Sequence, residues 1–196
     1  MELYEAIDKR RTVRTFSAPA SEETLRKIIV AGSKAASAGG RQPWEFIIVD
    51  DVRLVSQIAD LKYRQNLTIV YENANKTEVE ARAQRQRNAY SNCSVVVVCC
   101  VDDEEDLVST WMAVQNMYLA ATAEGLGIVP STFWDEHQQQ VGKLLDIPAD
   151  YKVATVCLIG VQEGYPDSFR EARRPRREEF TWLHRNRYGV QKQIPA

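Results

Sequence analysis

At 196 residues the chain is long enough for one sizeable core, and it is read as a single domain. With 44% hydrophobic and 27% charged residues its composition is that of an ordinary globular protein, which excludes a disordered or fibrous chain. A net charge of −2, from 25 basic and 27 acidic residues, excludes whole-surface attraction to nucleic acid or membrane and leaves only local charge to explain.

Met1-Glu2-Leu3-Tyr4-Glu5 carries acid where a secretory signal has a basic flank. The longest apolar run, 95–101, is too short to cross a bilayer as a helix, so a cytoplasmic protein is expected. Leu3, Ala6 and Ile7 share one face of a short helix over 3–9. Arg10-Arg11-Thr12-Val13-Arg14-Thr15-Phe16 comes next. Guanidiniums present planar, paired donors that match phosphate oxygens, so three of them and a hydroxyl within five positions suit a phosphate clamp. Cations are also favoured at a helix C-terminus, and on that reading the cluster only closes the helix.

Ala18-Pro19-Ala20 breaks the chain, and Ser21 then caps a helix predicted over 22–35, with Leu25, Ile28, Ile29 and Gly32 at helical spacing. The small-residue stretch 32–40 leads into Arg41-Gln42-Pro43-Trp44-Glu45-Phe46. Small side chains let backbone amides approach a ligand, and they equally suit a flexible connector. Phe46-Ile47-Ile48-Val49 reads as a strand buried on both faces. Asp51 caps a helix through Val55, Ile58, Ala59 and Leu61. Residues 63–90 are polar, with one thin stripe at Leu67, Val70, Tyr71 and Ala74, and read either as a lid or as solvated surface.

Residues 94–101 form the clearest strand, expected to be central. Asp102 and Asp103 start a helix through Trp111, Val114, Met117, Tyr118 and Ala123 that is apolar almost all round, which asks for burial by the sheet and by a second subunit. Gly125-Leu126-Gly127 ends it, and Ile128-Val129-Pro130 is a strand that Pro130 should stop, because proline lacks the ladder donor. The turn Ser131-Thr132-Phe133-Trp134 then offers free backbone amides beside two aromatics. Asp135 and Gln138 form a capping pair for the following helix, and 153–161 is a last buried strand. The tail interleaves Arg170, Arg173, Arg174, Arg176, Arg177, Arg185 and Arg187 with Phe169, Phe180, Trp182 and Tyr188. Alone that pattern suits a nucleic-acid surface, but Glu171, Glu178 and Glu179 dilute it, and a solvated or subunit-wrapping tail is the preferred reading.

Cys93, Cys99, Cys100 and Cys157 include no CxxC pair and read as small buried hydrophobes, with no disulfide, metal or nucleophile role. His137 and His184 are isolated and read as surface residues. The order of elements points to an α+β fold with a sheet flanked by helices. Neither GxGxxG after a strand nor GxxxxGK[ST] is present, so a Rossmann dinucleotide site and a P-loop are not supported.

Four segments together resemble the nitroreductase family of flavin mononucleotide (FMN) enzymes. Residues 10–16 are similar to the family's RRSVRxF opening, 36–46 to APSaxNxQPWxF, 120–127 to AAxxxGLG, and 173–179 to the closing R[KR]PLEE. The resemblance implies a central, mainly antiparallel sheet flanked by helices in a domain-swapped homodimer, with 165–196 as a C-terminal extension wrapping the partner subunit. It implies two FMN sites, each built from both chains. Arg10, Arg11, Thr12 and Arg14 would hold the phosphate, joined by Arg173 and Arg174 from the tail. Ala36, Ser37, Ala38, Gly40 and Gln42 would line the partner's flavin, while Pro130, Ser131 and Thr132 would face the isoalloxazine, an amide there pointing at N5. Gly40 stands where the family has an Asn that helps hold the flavin, with Arg41 or Gln42 as substitutes, and Ala36 replaces a Pro.

On this reading the flavin carries the chemistry, which agrees with the lack of a catalytic His or Cys. NADH or NADPH would deliver hydride to N5, and a small-molecule acceptor such as a nitroaromatic or quinone would then take electrons in the same cleft. The alternatives are a family member whose FMN does other work (dehalogenation, substrate dehydrogenation or flavin destruction) and, from another class, a nucleic-acid-binding module built on the tail.

Overall fold

In the computed structural model, residues 1–69, 75–163, 177–178 and 181–190 are described. In chain order the elements are Leu3–Lys9 (α1), Phe16–Pro19 (β1), Glu22–Gly32 (α2), Trp44–Val49 (β2), Val52–Leu67 (α3), Lys76–Asn88 (α4), Ser94–Val101 (β3), Glu104–Ala123 (α5), Gly127–Ser131 (β4), Asp135–Leu144 (α6) and Tyr151–Gln162 (β5). All lie in the first of two compact units, Met1–Glu163 and Gly164–Ala196. Among the described residues no helix is long and apolar enough to cross a membrane.

The valine-rich stretches set the sheet. β3 pairs antiparallel with β2 on one side, Trp44 opposite Cys100 and Val49 opposite Val95, and with β5 on the other, Ser94 opposite Ile159 and Val101 opposite Tyr151. Twelve residues long, β5 carries β4 along its far edge at 156–160, while β1 takes 160–162 on the edge that β3 leaves at Ile159, both antiparallel. The sheet is therefore antiparallel and curls around β5, with helices against it.

Unbroken burial from Val95 to Cys100 means that both faces of β3 are covered, as the continuous apolar run predicts. On one face Val96, Val98, Cys157 and Ile159 meet Leu25 and Ile28 of α2 and Val114, Met117, Tyr118 and Ala121 of α5. Ser21 caps α2 by accepting from the Thr24 amide, and Asp51 caps α3 through the amides of Arg53 and Leu54. Asp103 caps α5 through Glu105 and Asp106.

Several expectations need correction. Strand β1 was not foreseen. It is four residues long, broken by a register shift between Phe16 and Ala18, and ends on Pro19, so it has no alternation to detect. Pro130 does not stop β4 and sits within it opposite Cys157; β4 has a full ladder on its β5 side alone, so a missing donor on the other side is tolerated. The α2 helix ends at Gly32 rather than at 35. Asp135 and Gln138 form no capping pair: Trp134 holds the N-cap position without a side-chain bond, and Gln138 Nε2 donates to the Val153 carbonyl instead. His137 is buried. Leu3 and Ile7 are exposed, leaving Ala6 alone to bury α1. Residues 63–90 resolve into the end of α3 and all of α4, the latter opened by a capping box between Asn75 and Glu78 and burying only Ala83. Val70, Tyr71 and Ala74 of the predicted stripe lie outside the described residues.

Candidate functional site

The Arg cluster leaves α1 and runs beside β4. Thr12 forms a parallel bridge with Ile128, and the Val13 amide donates to the Ile128 carbonyl at 3.1 Å. Such close passage needs Gly127: a Cβ there would lie 2.6 Å from Val13 Cβ. The segment is organised on Tyr118 of α5, a residue that sequence reasoning placed only in the core. The Arg10 guanidinium lies 5.2 Å above the Tyr118 ring. Thr12 hydrogen-bonds the Tyr118 hydroxyl, and the charges of Arg10 and Arg14 both act on it. Burial nevertheless dominates and raises the Tyr118 pKa. Arg10, Thr12 and Arg14 are thus brought together. Arg11 turns the other way, its Nη1 donating to the carbonyls of Asp8 and Arg10 at the end of α1. Arg173 and Arg174 lie outside the described residues, as do Phe169, Arg170, Arg176 and Phe180.

At the other end of β4 the chain leaves the sheet at Ser131. Ser131 is buried, and its Oγ accepts from the Tyr90 hydroxyl at 2.9 Å. The amides of Thr132 and Phe133 have no hydrogen-bond partner among the described residues, whereas the Trp134 amide donates to Gln65 Oε1 at 3.1 Å. The Thr132 carbonyl accepts twice, from Lys62 Nζ at 2.7 Å and from Gln65 Nε2 at 3.1 Å. Four extended residues separate Ile128 from Thr132, roughly 13 Å at about 3.3 Å per residue. Cationic donors at one end and free amides at the other, about that far apart, fit an elongated ligand with an anionic terminus and a planar polar head. FMN has that form.

The remaining predicted residues sit elsewhere. The 36–42 segment is tied to the start of α5: the Ala38 amide donates to Ser109 Oγ, and Arg41 reaches Asp106 at 2.9 Å and Glu105 at 3.0 Å. Arg41 is thereby engaged in ion pairs within its own chain. Ser37 Oγ accepts from the Gln42 amide, closing a turn in which Gly39, Gly40 and Gln42 all have positive φ. Along α5, Ser109 and Tyr118 are nine residues apart, about 14 Å at 1.5 Å per residue. Within one chain, the 36–42 segment and the Arg cluster therefore do not form a single site. Ala36 and Gly40 are exposed.

All four cysteines are free thiols. Burial pushes the Cys99 thiol up to about 11 and those of Cys93 and Cys157 up to about 12, so each stays protonated at neutral pH. No group of side chains able to hold a metal ion occurs among the described residues. Besides Tyr118, the sequence reading missed Lys62, Gln65 and Asn66, all buried on α3. A signal existed: Ile58, Leu61, Lys62 and Gln65 follow one helical stripe, so two polar residues occupy core positions.

A model of the Nitroreductase family matches residues 7–165. An iodotyrosine deiodinase of Thermotoga neapolitana is 30% identical over 173 residues, covering 84% of this chain and 89% of that protein. A 5,6-dimethylbenzimidazole synthase of Rhodospirillum rubrum is 29% identical over 196 residues, covering 92% and 89%. The crystal structure of oxidized iodotyrosine deiodinase bound to FMN and 3-iodo-L-tyrosine aligns with a TM-score of 0.72 at 27% identity, covering 95% of this chain and 99% of that one.

Proposed function

The chain belongs to the nitroreductase family, and we propose that it is an FMN-dependent oxidoreductase that takes hydride from NADH or NADPH and passes electrons to a small acceptor such as a nitroaromatic or a quinone. The observation that carries this reading is the pairing of Arg10, Thr12 and Arg14 around Tyr118 with the unclaimed amides of Thr132 and Phe133, one group at each end of β4. When bound, FMN supplies the hydride and electron transfer. The chain's own groups bind and orient. Arg10 and Arg14 would hold the phosphate with charge-assisted bonds, Thr12 would add a hydroxyl, and the 132–133 amides would offer donors to the flavin ring. This reading asks no cysteine or histidine to move a proton.

A homodimer completes the site on this reading. Val108 and Met112 stand one turn apart on α5, 63% and 47% exposed, and α1 leaves Leu3, Tyr4 and Ile7 exposed. These are apolar faces for a second copy to cover. The partner's 36–42 segment would then line the flavin that this chain's Arg cluster holds, with residues 165–196 as the extension wrapping across. The purified protein should be yellow, and its absorbance should bleach on anaerobic addition of NADPH or NADH. A colourless protein that takes up no FMN overturns the proposal.

A second reading is favoured by the deiodinase relatives, in sequence and in structure: the bound FMN serves reductive dehalogenation. Bound FMN that nicotinamides leave oxidised, but that releases iodide from 3-iodo-L-tyrosine once reduced by dithionite, selects that reading over the first.

A further inference from the structure

Lys62 is a cation with almost no exposed surface, 5%. No carboxylate lies within ion-pair distance of it among the described residues. A buried charge lacking an anion is unfavourable and survives only where other groups take up its donors. Three do so here: the Thr132 carbonyl at 2.7 Å and the ring faces of Phe133 and Trp134 at 5.3 and 5.1 Å. All belong to the turn that follows β4. Burial alone brings the Lys62 pKa down to about 8, so at neutral pH the ammonium form still prevails.

Gln65, one turn further along α3, is fully buried and grips the same turn at two points, donating to the Thr132 carbonyl and accepting from the Trp134 amide. The Asn66 side chain in turn donates to the Lys62 carbonyl. The peptide between Thr132 and Phe133 is trans, so its N–H points away from its carbonyl. Two donors load that carbonyl, one of them charged, while the N–H opposite is unclaimed among the described residues. Drawing electron density toward the oxygen makes the N–H a stronger donor, as bonds in series reinforce one another. Holding the carbonyl also fixes the direction in which the N–H is presented.

We propose that Lys62 and Gln65 are positioning residues for the redox chemistry of this site: together they orient and polarise the 132–133 peptide so that the Phe133 N–H is offered to the flavin, and the buried Lys62 charge makes that flavin easier to reduce. The inference rests on the FMN reading above. It goes beyond that reading by placing control of the reduction potential on the end of α3, which does not itself supply the donor.

The test measures the midpoint potential of bound FMN, by equilibration with a reference dye, in wild type, Lys62→Gln, Lys62→Arg and Gln65→Met, each with its FMN content determined. Lys62→Gln keeps a donor and loses the charge, and the ratio of reduced to oxidised flavin at a fixed potential falls at least tenfold, about 30 mV for a two-electron couple. Lys62→Arg keeps the charge and recovers most of that loss. Gln65→Met loses one of the two donors and also lowers the potential. A Lys62→Gln protein that binds FMN at the wild-type potential overturns the proposal, because a merely structural brace would alter melting temperature and leave the potential in place. If Lys62→Gln does not fold, Gln65→Met decides, and an unchanged potential there overturns the proposal as well. A wild-type protein that binds no FMN ends the underlying reading instead.

Discussion

Replacing Gly127 by alanine tests whether the Arg cluster is held in place by its contact with β4. The added Cβ would sit 2.6 Å from Val13 Cβ and 2.7 and 2.8 Å from its two methyl carbons. None of these is the end of a flexible chain; Val13 is β-branched and 5% exposed. To regain ordinary contact, which lies at 3.4–4 Å, the 12–14 backbone must retreat by about 1 Å. That movement stretches the 3.1 Å bond from the Val13 amide to the Ile128 carbonyl beyond hydrogen-bond length. Overpacking of this kind costs about 1–3 kcal/mol, which for a chain of this size lowers the melting temperature by roughly 2–12 °C. The same shift carries Arg10, Thr12 and Arg14 away from Tyr118, so FMN retention falls further than stability does. Thermal unfolding and fluorescence titration with FMN measure the two effects. Val13→Gly removes the atom in the way, so the Gly127→Ala, Val13→Gly double variant should be more stable than the two single losses sum to, a coupling that a double-mutant cycle reports. Wild-type melting temperature and wild-type FMN affinity in Gly127→Ala would refute the reasoning.

Three further outcomes follow from the same structure. Arg10→Ala and Arg14→Ala should each weaken FMN binding by roughly 10- to 150-fold, the loss of one charge-assisted contact, while Arg185→Ala leaves it within twofold in the same titration. Arg41→Ala frees the 36–42 segment from Asp106 and Glu105 and leaves the Asp106 side chain, 11% exposed, without its cation; thermal stability falls, and because the pair is electrostatic the gap from wild type narrows in 1 M salt. For Lys62, burial lowers the folded pKa to about 8 from 10.5, so between those values the unfolded chain binds a proton that the folded chain does not. Wild-type stability should therefore gain from this group as pH rises from 8 to 10.5, by at most about 1.4 kcal/mol per pH unit, and be flat below 8. Urea unfolding of wild type against Lys62→Met across that range should show the gain in wild type alone.

The sheet was legible because its strands are buried on both faces and valine-rich, and periodicity needs nothing more. Residues 94–101 were placed to the residue, and the caps at Ser21 and Asp51 formed as their side chains require. What escaped was set by tertiary context. The four residues of β1 become a strand only because β5 outruns β3, whose pairing ends at Ile159, and has a free edge at 160–162. Asp135 lost its cap role to a left-handed backbone, φ 51°, that no local signal announced. For the site, the Arg cluster and the 131–134 turn could be picked out by residue type, since donors and a proline leave marks in a sequence. Their relation to Tyr118, Lys62 and Gln65 could not, because a buried tyrosine on an apolar helix looks like core until the segment that crosses it is known. The ion pairs of Arg41 with α5 were likewise hidden, because they join residues 65 and 64 positions apart.

On the proposed reading β4 is the element that joins these parts into one site. It is five residues long, with Thr12 bridged to Ile128 near its start and the 132–133 amides just past its end. Neither end is built by side chains of β4 itself: Tyr118 of α5 gathers the cationic end and Lys62 with Gln65 of α3 fixes the other. The strand therefore acts as a ruler, and the residues that set its ends sit on separate helices. Changes at Tyr118 should alter how tightly the phosphate is held and leave the reduction potential in place, whereas changes at Lys62 should do the reverse. If Tyr118→Phe and Lys62→Gln instead moved affinity and potential together, the two ends would be mechanically coupled through β4, and the division of labour argued from these contacts would not stand.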